Sequence, residues 1–202
     1  MNVAFEGNTI KLSRILSVVD TFTIEFVKLL EKAGIDYVIV SGYTALLFGR
    51  ERITEDIDVI FRREDMVGVE KLYDIISEDY WLLNARTLPQ AMALLKENSA
   101  IRIAKKDTIS PNIELKPAKN ELDEYSLSHA TEVELNNRHR IRISPLEMQI
   151  PYKLYLGTKK DIEDARFLYD LFGEKVDKNK LVYFCRKLGV EEKMRHLGEL
   201  HG

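Results

Sequence analysis

The sequence has little cysteine and no long apolar run, and each shortage excludes a class of protein. The single cysteine among 202 residues, Cys185, excludes a disulfide framework and a cysteine-based zinc cluster. The longest apolar runs, such as 37–40, are far shorter than the roughly 20 residues that a membrane-spanning helix needs. The first residues include Glu6 and no long apolar stretch, so we expect no secretory signal. These shortages favour a cytoplasmic protein that does not enter a membrane.

An excess of charge of one sign is also missing. The chain has 30 Lys and Arg residues against 33 Asp and Glu residues, a formal net charge of -3. This balance argues against a protein that binds nucleic acid mainly through electrostatic attraction. Hydrophobic residues make up 45% and charged residues 31% of the chain, which excludes disorder. A chain of this length can bury a core as one large domain, or as a core with a small appendage.

The apolar pattern predicts strands in the first part of the chain and helices in the last part. Helical periodicity predicts a long helix over 12–33, and a β-branched run predicts a buried strand over 37–40. The same criteria predict further strands at 57–61, 100–104, 112–116, 131–135 and 139–143, and further helices at 44–48, 64–77, 88–97, 158–173, 181–188 and 191–200. Ser144-Pro145-Leu146-Glu147 resembles a capping box that starts another helix.

We therefore predict an α+β fold with a mixed β-sheet flanked by helices. The sheet and its helices would form a core over residues 1–143. A helical C-terminal subdomain would follow over residues 144–202.

Two acids on one predicted strand, Asp56 and Asp58, are the first candidate for chemistry. Side chains alternate along a strand, so both carboxylates project from one face while Ile57 and Val59 point into a core. Carboxylates this close repel each other, and both stay ionised only beside a compensating cation. Hard divalent ions with oxygen ligands are suitable partners. We predict that Asp56 and Asp58 bind Mg²⁺, with Mn²⁺ as an alternative; a solvated strand edge is the alternative without function.

A turn and a third acid complete the candidate site. Ser41 and Gly42 end one strand and open a helix, where the backbone can approach an anion and aim N–H groups at it. Glu114, on the predicted strand 112–116, faces away from the core and would be the third carboxylate if this strand neighbours the one bearing Asp58. Two metals could then be bridged. The alternative for Glu114 is an exposed residue paired with Lys116.

These motifs resemble the nucleotidyltransferase fold of the DNA polymerase β superfamily. The similarity is greatest to the abortive-infection (AbiEii), type IV toxin-like nucleotidyltransferases. It rests on the Gly turn, on the third acid and on the Arg-x-Thr-x-Asp-x-Asp block that runs from Arg52 to Asp58. It also rests on a downstream Lys…Lys-Asp…Asp pattern. The resemblance covers roughly 35–170. The downstream pattern is met by Lys153, Lys160, Asp161 and Asp164.

The resemblance implies a Mg²⁺-dependent enzyme that passes an NMP from an NTP to a hydroxyl of an RNA (tRNA) or protein acceptor. It implies that Asp56, Asp58 and Glu114 are the catalytic, metal-binding residues. The implied nucleotide-binding residues are Ser41, Gly42, Tyr43, Thr44, Arg52, Thr54, Lys153 and Lys160.

Three differences from the family pattern leave a second function open. Tyr43 stands beside the turn where a small residue is usual, and Glu114 stands where Asp is commoner. The Arg often found before Lys-Asp is replaced by Gly157 and Thr158. The alternative function is a catalytically weak nucleotide-binding or interaction protein of the same fold, including a toxin–antitoxin component with an antitoxin partner. The base, the acceptor and the oligomeric state stay open.

Some of the implied contacts also have simpler interpretations. Arg52 and Thr54 could stabilise only their loop and the neighbouring carboxylates. Lys153 and Lys160 could belong to a solvated helix face. Asp161 is expected to stabilise the first turn of its helix by interacting with the helix dipole.

Overall fold

The computed structural model describes residues 2–51 and 56–199 of the chain. The strands in these ranges are β1 (Asn2–Glu6), β2 (Thr9–Ser13), β3 (Tyr37–Val40), β4 (Asp56–Phe61), β5 (Tyr80–Leu82), β6 (Ile101–Lys105), β7 (Asn112–Pro117), β8 (Thr131–Leu135) and β9 (His139–Ile143). The helices are α1 (Val18–Ala33), α2 (Gly42–Leu47), α3 (Met66–Ile76), α4 (Leu88–Lys96), α5 (Glu121–Ser128), α6 (Leu146–Leu156), α7 (Lys159–Phe172), α8 (Lys178–Leu188) and α9 (Glu191–Glu199). None of these helices combines the length and apolar character that a bilayer-spanning segment requires.

The strands form one mixed sheet in the order β1-β2-β8-β9-β3-β4-β7-β6-β5. The strand β4, which carries the two predicted aspartates, lies near the middle of this sheet. It pairs with β3 in antiparallel and with β7 in parallel direction. Side chains on β4 therefore have neighbours on both sides, one from the strand before the turn and one from the strand that carries Glu114.

The two faces of the sheet are covered unequally. On one face Ile39, Val59 and Leu115 are fully buried in the main core, which also holds apolar side chains of α1 and α3. On the other face a small apolar cluster of Val38, Ile60, Ala118 and Leu127 lies beneath α5. This second face is closed only in part, and its uncovered part carries the predicted acids.

The C-terminal helices share the main core with the sheet. The ring of Phe172 on α7 packs edge-on against Phe48, with ring centroids 4.6 Å apart, and against Phe5 at 5.6 Å. The predicted boundary after residue 143 coincides with the end of β9. That 1–143 and 144–202 are separate domains stays a prediction.

The prediction of a helix over 12–33 is wrong at its beginning. Leu12 lies in β2, where it is buried and pairs with Leu135 of β8. The helix begins only at Val18, after a capping box in which Ser17 and Asp20 exchange hydrogen bonds. Leu12 belongs to a short strand, but its spacing from the apolar residues of the helix happens to match the helical period. The prediction therefore extended the helix back over this strand.

The predicted capping box at Ser144 is also wrong. Pro145 occupies the capping position of α6 and makes no side-chain cap bond. The Ser144 hydroxyl is buried and lies 3.3 Å from the Ser126 hydroxyl of α5. Ser144 therefore ties α5 to the start of α6 rather than capping a helix.

Candidate active site

The structure brings the three predicted acids onto one face of two adjacent strands. In the parallel pair of β4 and β7, Asp58 is opposite Glu114, and Asp56 is opposite Asn112. The amide of Asn112 donates a hydrogen bond of 2.6 Å to Asp56 Oδ1. This placement follows from the strand alternation, which buries Ile57 and Val59 on the opposite face.

Two basic side chains lie between the acids. Lys116, two residues after Glu114 on the same face of β7, places its Nζ 2.7 Å from Asp58 Oδ1. Arg102 on β6 contacts Asp56 at 2.9 Å and Glu114 at 3.3 Å. Lys116 thus pairs with Asp58, whereas the sequence suggested Glu114 as its partner. Sequence reasoning missed Arg102, although it alternates with the buried residues Ile101 and Ile103 and so had to face away from the core.

Asp56, Asp58 and Glu114 concentrate negative charge on this face of the sheet. Burial raises the pKa of Glu114, and the nearby charges of Asp58 and Asp56 raise it further. Burial lowers the pKa of Lys116, but attraction to Asp58 outweighs this effect and leaves that pKa raised. Among the ion pairs of the described residues, three carboxylates face two basic side chains, Lys116 and Arg102.

The chemistry of these donors fits a hard divalent cation, because all three are carboxylates that share one face and repel each other. In the described ranges, no three Asp, Glu, His or Cys side chains already have the arrangement of a metal site. The carboxylates are instead directed toward Lys116 and Arg102. A metal would therefore compete with these two cations for the same oxygens.

The turn between β3 and α2 lies next to the acids. Val40, the last residue of β3, is opposite Asp58, and Ser41 follows it. Ser41 has φ 67° and ψ −136°, a backbone conformation that favours glycine. The residue that needs unusual backbone freedom is thus Ser41 rather than Gly42, which is the first residue of α2. The side-chain amide of Gln149 donates to the Ser41 carbonyl at 3.3 Å.

The side chains of Tyr43 and Thr44 lie in the core, so a nucleotide contact of these residues, which stays a prediction, would have to use their backbone groups. Both are fully buried. The Tyr43 hydroxyl donates a 3.0 Å hydrogen bond to Asp20 of α1, and burial raises the pKa of this phenol. The reason is that α2 begins at Gly42, so the next residues turn into the core. Only their backbone groups remain near the turn.

The predicted lysines separate into one buried and one exposed residue. Lys153 on α6 is 1% exposed and places its Nζ 2.7 Å from Asp164 of α7. Arg50 also pairs with Asp164. Lys160 is exposed in the first turn of α7, away from the acids. The remaining predicted contacts, Arg52 and Thr54, lie outside the described residues.

A cleft of about 170 Å³ connects Asp58, the turn and α6. Its sheet wall includes Ser41, Asp58 and Lys116, and its helical walls include residues of α5 and α6. The residues contributed by α6 are Met148, Gln149, Tyr152, Lys153 and Leu156. Gln149 and Tyr152 were missed from the sequence. Helical spacing was the signal that could have found them, since Gln149 precedes Lys153 by four residues and Tyr152 follows Gln149 by three.

Comparison with known proteins identifies the fold. No family description and no curated protein matches the sequence. Among solved structures, an antigenic nucleotidyltransferase-like protein from Paracoccidioides brasiliensis matches with a TM-score of 0.54 and 14% identity, over 88% of this chain and 90% of that chain. The antibiotic-resistance factor ANT(2'')-Ia matches with a TM-score of 0.51 and 16% identity, over 88% of this chain and 98% of that chain.

The chain has a nucleotidyltransferase-like fold. The predicted fold class, a mixed sheet flanked by helices with further helices at the C-terminal end, is confirmed. At these identities the similarity establishes the fold alone. The narrower resemblance to abortive-infection, type IV toxin-like proteins stays a prediction.

Proposed function

We propose that the protein is a Mg²⁺-dependent nucleotidyltransferase that moves an NMP from an NTP to an acceptor hydroxyl. The observation that carries this proposal is the placement of Asp58 opposite Glu114 on neighbouring strands, with Asp58 lining the same cleft as the Ser41 turn. The nucleotidyltransferase-like fold supports it. Following the family resemblance, we propose an RNA such as tRNA, or a protein, as the acceptor.

The side chains of Asp56, Asp58 and Glu114 would hold Mg²⁺, or Mn²⁺ in its place. Such an ion, bound by carboxylates and substrate phosphates, supplies charge neutralisation at the reacting phosphate. The backbone N–H groups of Ser41 and Gly42 would bind the terminal phosphates. The helix α2 has only 6 residues, so we assign this role to the turn and not to a helix dipole.

In the proposed reaction the oxygen of the acceptor hydroxyl attacks the α-phosphorus of the NTP. A bond forms between this oxygen and phosphorus, the bond to the β-phosphate oxygen breaks, and pyrophosphate leaves. Glu114 would accept the proton of the attacking hydroxyl; burial and its acidic neighbours raise its pKa, which suits a base. If Glu114 instead completed the metal ligands, this proton would pass to water. Positioning and charge neutralisation provide the acceleration.

The first prediction concerns Asp58→Asn. This change keeps the shape of the side chain and removes its charge, so we expect Mg²⁺-dependent NTP binding to weaken at least about tenfold, by loss of a charged ligand. Isothermal titration calorimetry measures the affinity, and circular dichroism checks the fold. Asp74→Asn, the same change at an exposed residue of α3, is the matched control. Unchanged NTP binding by Asp58→Asn would show that the acids are not the site.

Transfer itself is tested with labelled NTPs, Mg²⁺, and tRNA or candidate proteins as acceptors. The expected result is a labelled acceptor whose formation requires both the metal and Asp58. No transfer in any combination, together with no metal-dependent NTP binding, would exclude the enzyme.

The alternative function, nucleotide binding without efficient catalysis, is favoured by one observation. Lys116 and Arg102 already pair with one oxygen of each of the three carboxylates that a metal would need. NTP binding without turnover would identify this alternative. Membership of a toxin–antitoxin pair is a further proposal from the family resemblance, and an antitoxin gene beside the gene for this chain would support it.

A further inference from the structure

Gln149 carries a buried polar atom that the rest of the site does not explain. The residue is 3% exposed and lines the cleft from α6. Its Oε1 atom has no hydrogen-bond partner within residues 2–51 and 56–199. Buried acceptors are nearly always paired, because leaving one unpaired is unfavourable. A bound ligand would give this oxygen a partner.

The contact with Ser41 fixes which end of the amide is available. The nitrogen of the Gln149 amide donates to the Ser41 carbonyl at 3.3 Å. This contact commits the donor end of the amide to the turn and leaves the acceptor end for a ligand in the cleft. The residue thus spans the distance between the phosphate-binding turn and the helical wall.

Among the described residues that line the cleft, only Gln149 has a buried side-chain nitrogen or oxygen without a partner. Three other polar side chains illustrate the contrast. Lys116 pairs with Asp58, and Lys153 pairs with Asp164. The hydroxyl of Ser126 donates to the carbonyl of Leu122. The unpaired oxygen of Gln149 is therefore not part of a generally unsatisfied cleft, and it marks one position where a ligand donor would lie.

The chemistry of an amide oxygen selects the part of an NTP that can bind there. An acceptor needs an N–H or O–H donor, and the ionised phosphates of an NTP offer none. The nucleoside offers both kinds, as ribose hydroxyls and as N–H groups of the base. The acids and the turn would then bind the phosphate end, and Gln149 would bind the nucleoside end.

We propose that Gln149 is a nucleoside-binding residue whose Oε1 accepts a hydrogen bond from a hydroxyl or N–H group of the bound NTP. This inference rests on the proposed function and deepens it. It assigns the α6 wall of the cleft to the nucleoside, next to the turn proposed for the phosphates.

The test compares Gln149→Met with the wild-type protein. Calorimetry measures the affinity for the tightest-binding of the four NTPs and for inorganic tripolyphosphate, both with Mg²⁺. We expect the variant to bind the NTP about 3- to 10-fold more weakly, as for loss of one hydrogen bond, and tripolyphosphate with unchanged affinity. Gln90→Met, at an exposed residue of α4, is the matched control and should change neither affinity. Thermal melting checks that both variants fold.

Nucleotide analogues identify the donor. The 2'-deoxy and 3'-deoxy forms of the NTP and a base analogue without its exocyclic amine are titrated into both proteins. The analogue that lacks the donor should bind the wild-type protein as weakly as Gln149→Met binds the complete NTP. It should lose no further affinity in the variant.

Three results would overturn the inference. Equal losses of NTP and tripolyphosphate affinity would mean that Gln149 acts only through the Ser41 turn. Unchanged NTP affinity in Gln149→Met would refute the nucleoside contact while leaving the proposed function intact. Absence of Mg²⁺-dependent NTP binding in the wild-type protein would remove both the proposed function and this inference.

Discussion

The backbone of Ser41 is the most informative single feature beside the acids. Its φ of 67° and ψ of −136° form a combination that residues with a Cβ adopt at a penalty of about 1–3 kcal/mol. Such strain persists where the surroundings impose it, and here the Gln149 amide binds the Ser41 carbonyl. The strained turn therefore coincides with the position proposed for the terminal phosphates.

The second prediction is that Ser41→Gly stabilises the protein. Glycine removes the strain but loses more backbone entropy on folding, so we expect the free energy of unfolding to rise by about 1 kcal/mol. Urea unfolding followed by circular dichroism measures it. Ser77→Gly is the matched control, because Ser77 has ordinary helical φ and ψ of −57° and −27° and should lose stability. A less stable Ser41→Gly protein would show that the turn is not strained.

The third prediction concerns the competition between Lys116 and a metal. Lys116→Met leaves Asp58 with one cation fewer, so without divalent ions we expect a loss of about 1–2 kcal/mol in the free energy of unfolding. Added Mg²⁺ should restore more stability to this variant than to the wild-type protein, and calorimetry should show tighter Mg²⁺ binding. Thermal melts with and without MgCl₂ measure the first effect.

The control for this experiment is Lys105→Met, which breaks an exposed ion pair with Glu25 away from the acids. Mg²⁺ should not stabilise that variant more than the wild-type protein. If Mg²⁺ affected the Lys116 and Lys105 variants equally, Lys116 would not compete with a metal.

At the residue scale, the alternation of strands made the acids predictable, but not their partners. Asp56 and Asp58 share a face in any strand, and Glu114 faces away from the core for the same reason. Their contacts with Arg102 depend on the register of β6 against β7, which local sequence does not contain. The burial of the Tyr43 side chain was not predictable, because adjacency to a turn does not reveal where the next helix begins.

At the scale of elements, a buried cluster of ion pairs joins α6 and α7 to Arg50, which follows α2. Asp164 is fully buried and contacts both Lys153 and Arg50. The Lys and Asp of the downstream family-like pattern therefore form a structural ion pair in this chain. This pair also fixes the part of α6 that lines the cleft.

The fourth prediction is that Asp164→Asn strongly destabilises the protein. It leaves the buried cation of Lys153 with the more distant carboxylate of Asp161, 3.8 Å away, so we expect a loss of about 3 kcal/mol in the free energy of unfolding, measured with urea. Glu163→Gln is the matched control, because Glu163 also pairs with Arg50 but its side chain is 47% exposed. That change should cost less than about 1 kcal/mol. Similar losses in the two variants would contradict a special role for the buried pair.

Elements with a strong apolar pattern were predictable, and elements that depend on tertiary contacts were not. The predicted strands 37–40 and 57–61 match β3 and β4 to within one residue. The helix α5 was missed because few of its residues are apolar. It is stabilised by Asn120, whose side chain caps its first turn, and by Leu127, which packs on the sheet.

At the scale of the whole molecule, the order of the strands could not be read from the sequence. The edge hairpin of β1 and β2 joins the sheet through β8, more than a hundred residues later. The sheet and the C-terminal helices also share one apolar core, which includes Phe5, Phe48 and Phe172. This shared core bears on whether residues 1–143 and 144–202 unfold separately.

The fifth prediction is that the chain unfolds in one cooperative transition. Trp81, the single tryptophan, lies on β5 at the far edge of the sheet and reports on the sheet by fluorescence. Far-UV circular dichroism reports mainly on the helices. Because Phe172 packs against Phe48 and Phe5, we expect both signals to change at the same urea concentration.

Phe172→Ala should lower the free energy of unfolding by about 3–5 kcal/mol, the usual loss for a large core aromatic. Both transitions should move together to a lower urea concentration. Tyr183→Ala, at a 55% exposed aromatic of α8, is the control and should cost less than about 1 kcal/mol. A helical signal that is lost before the Trp81 signal would instead support two domains with a boundary near residue 143. Coincident transitions would mean that the wall of the cleft formed by α6 is as stable as the sheet that carries the acids.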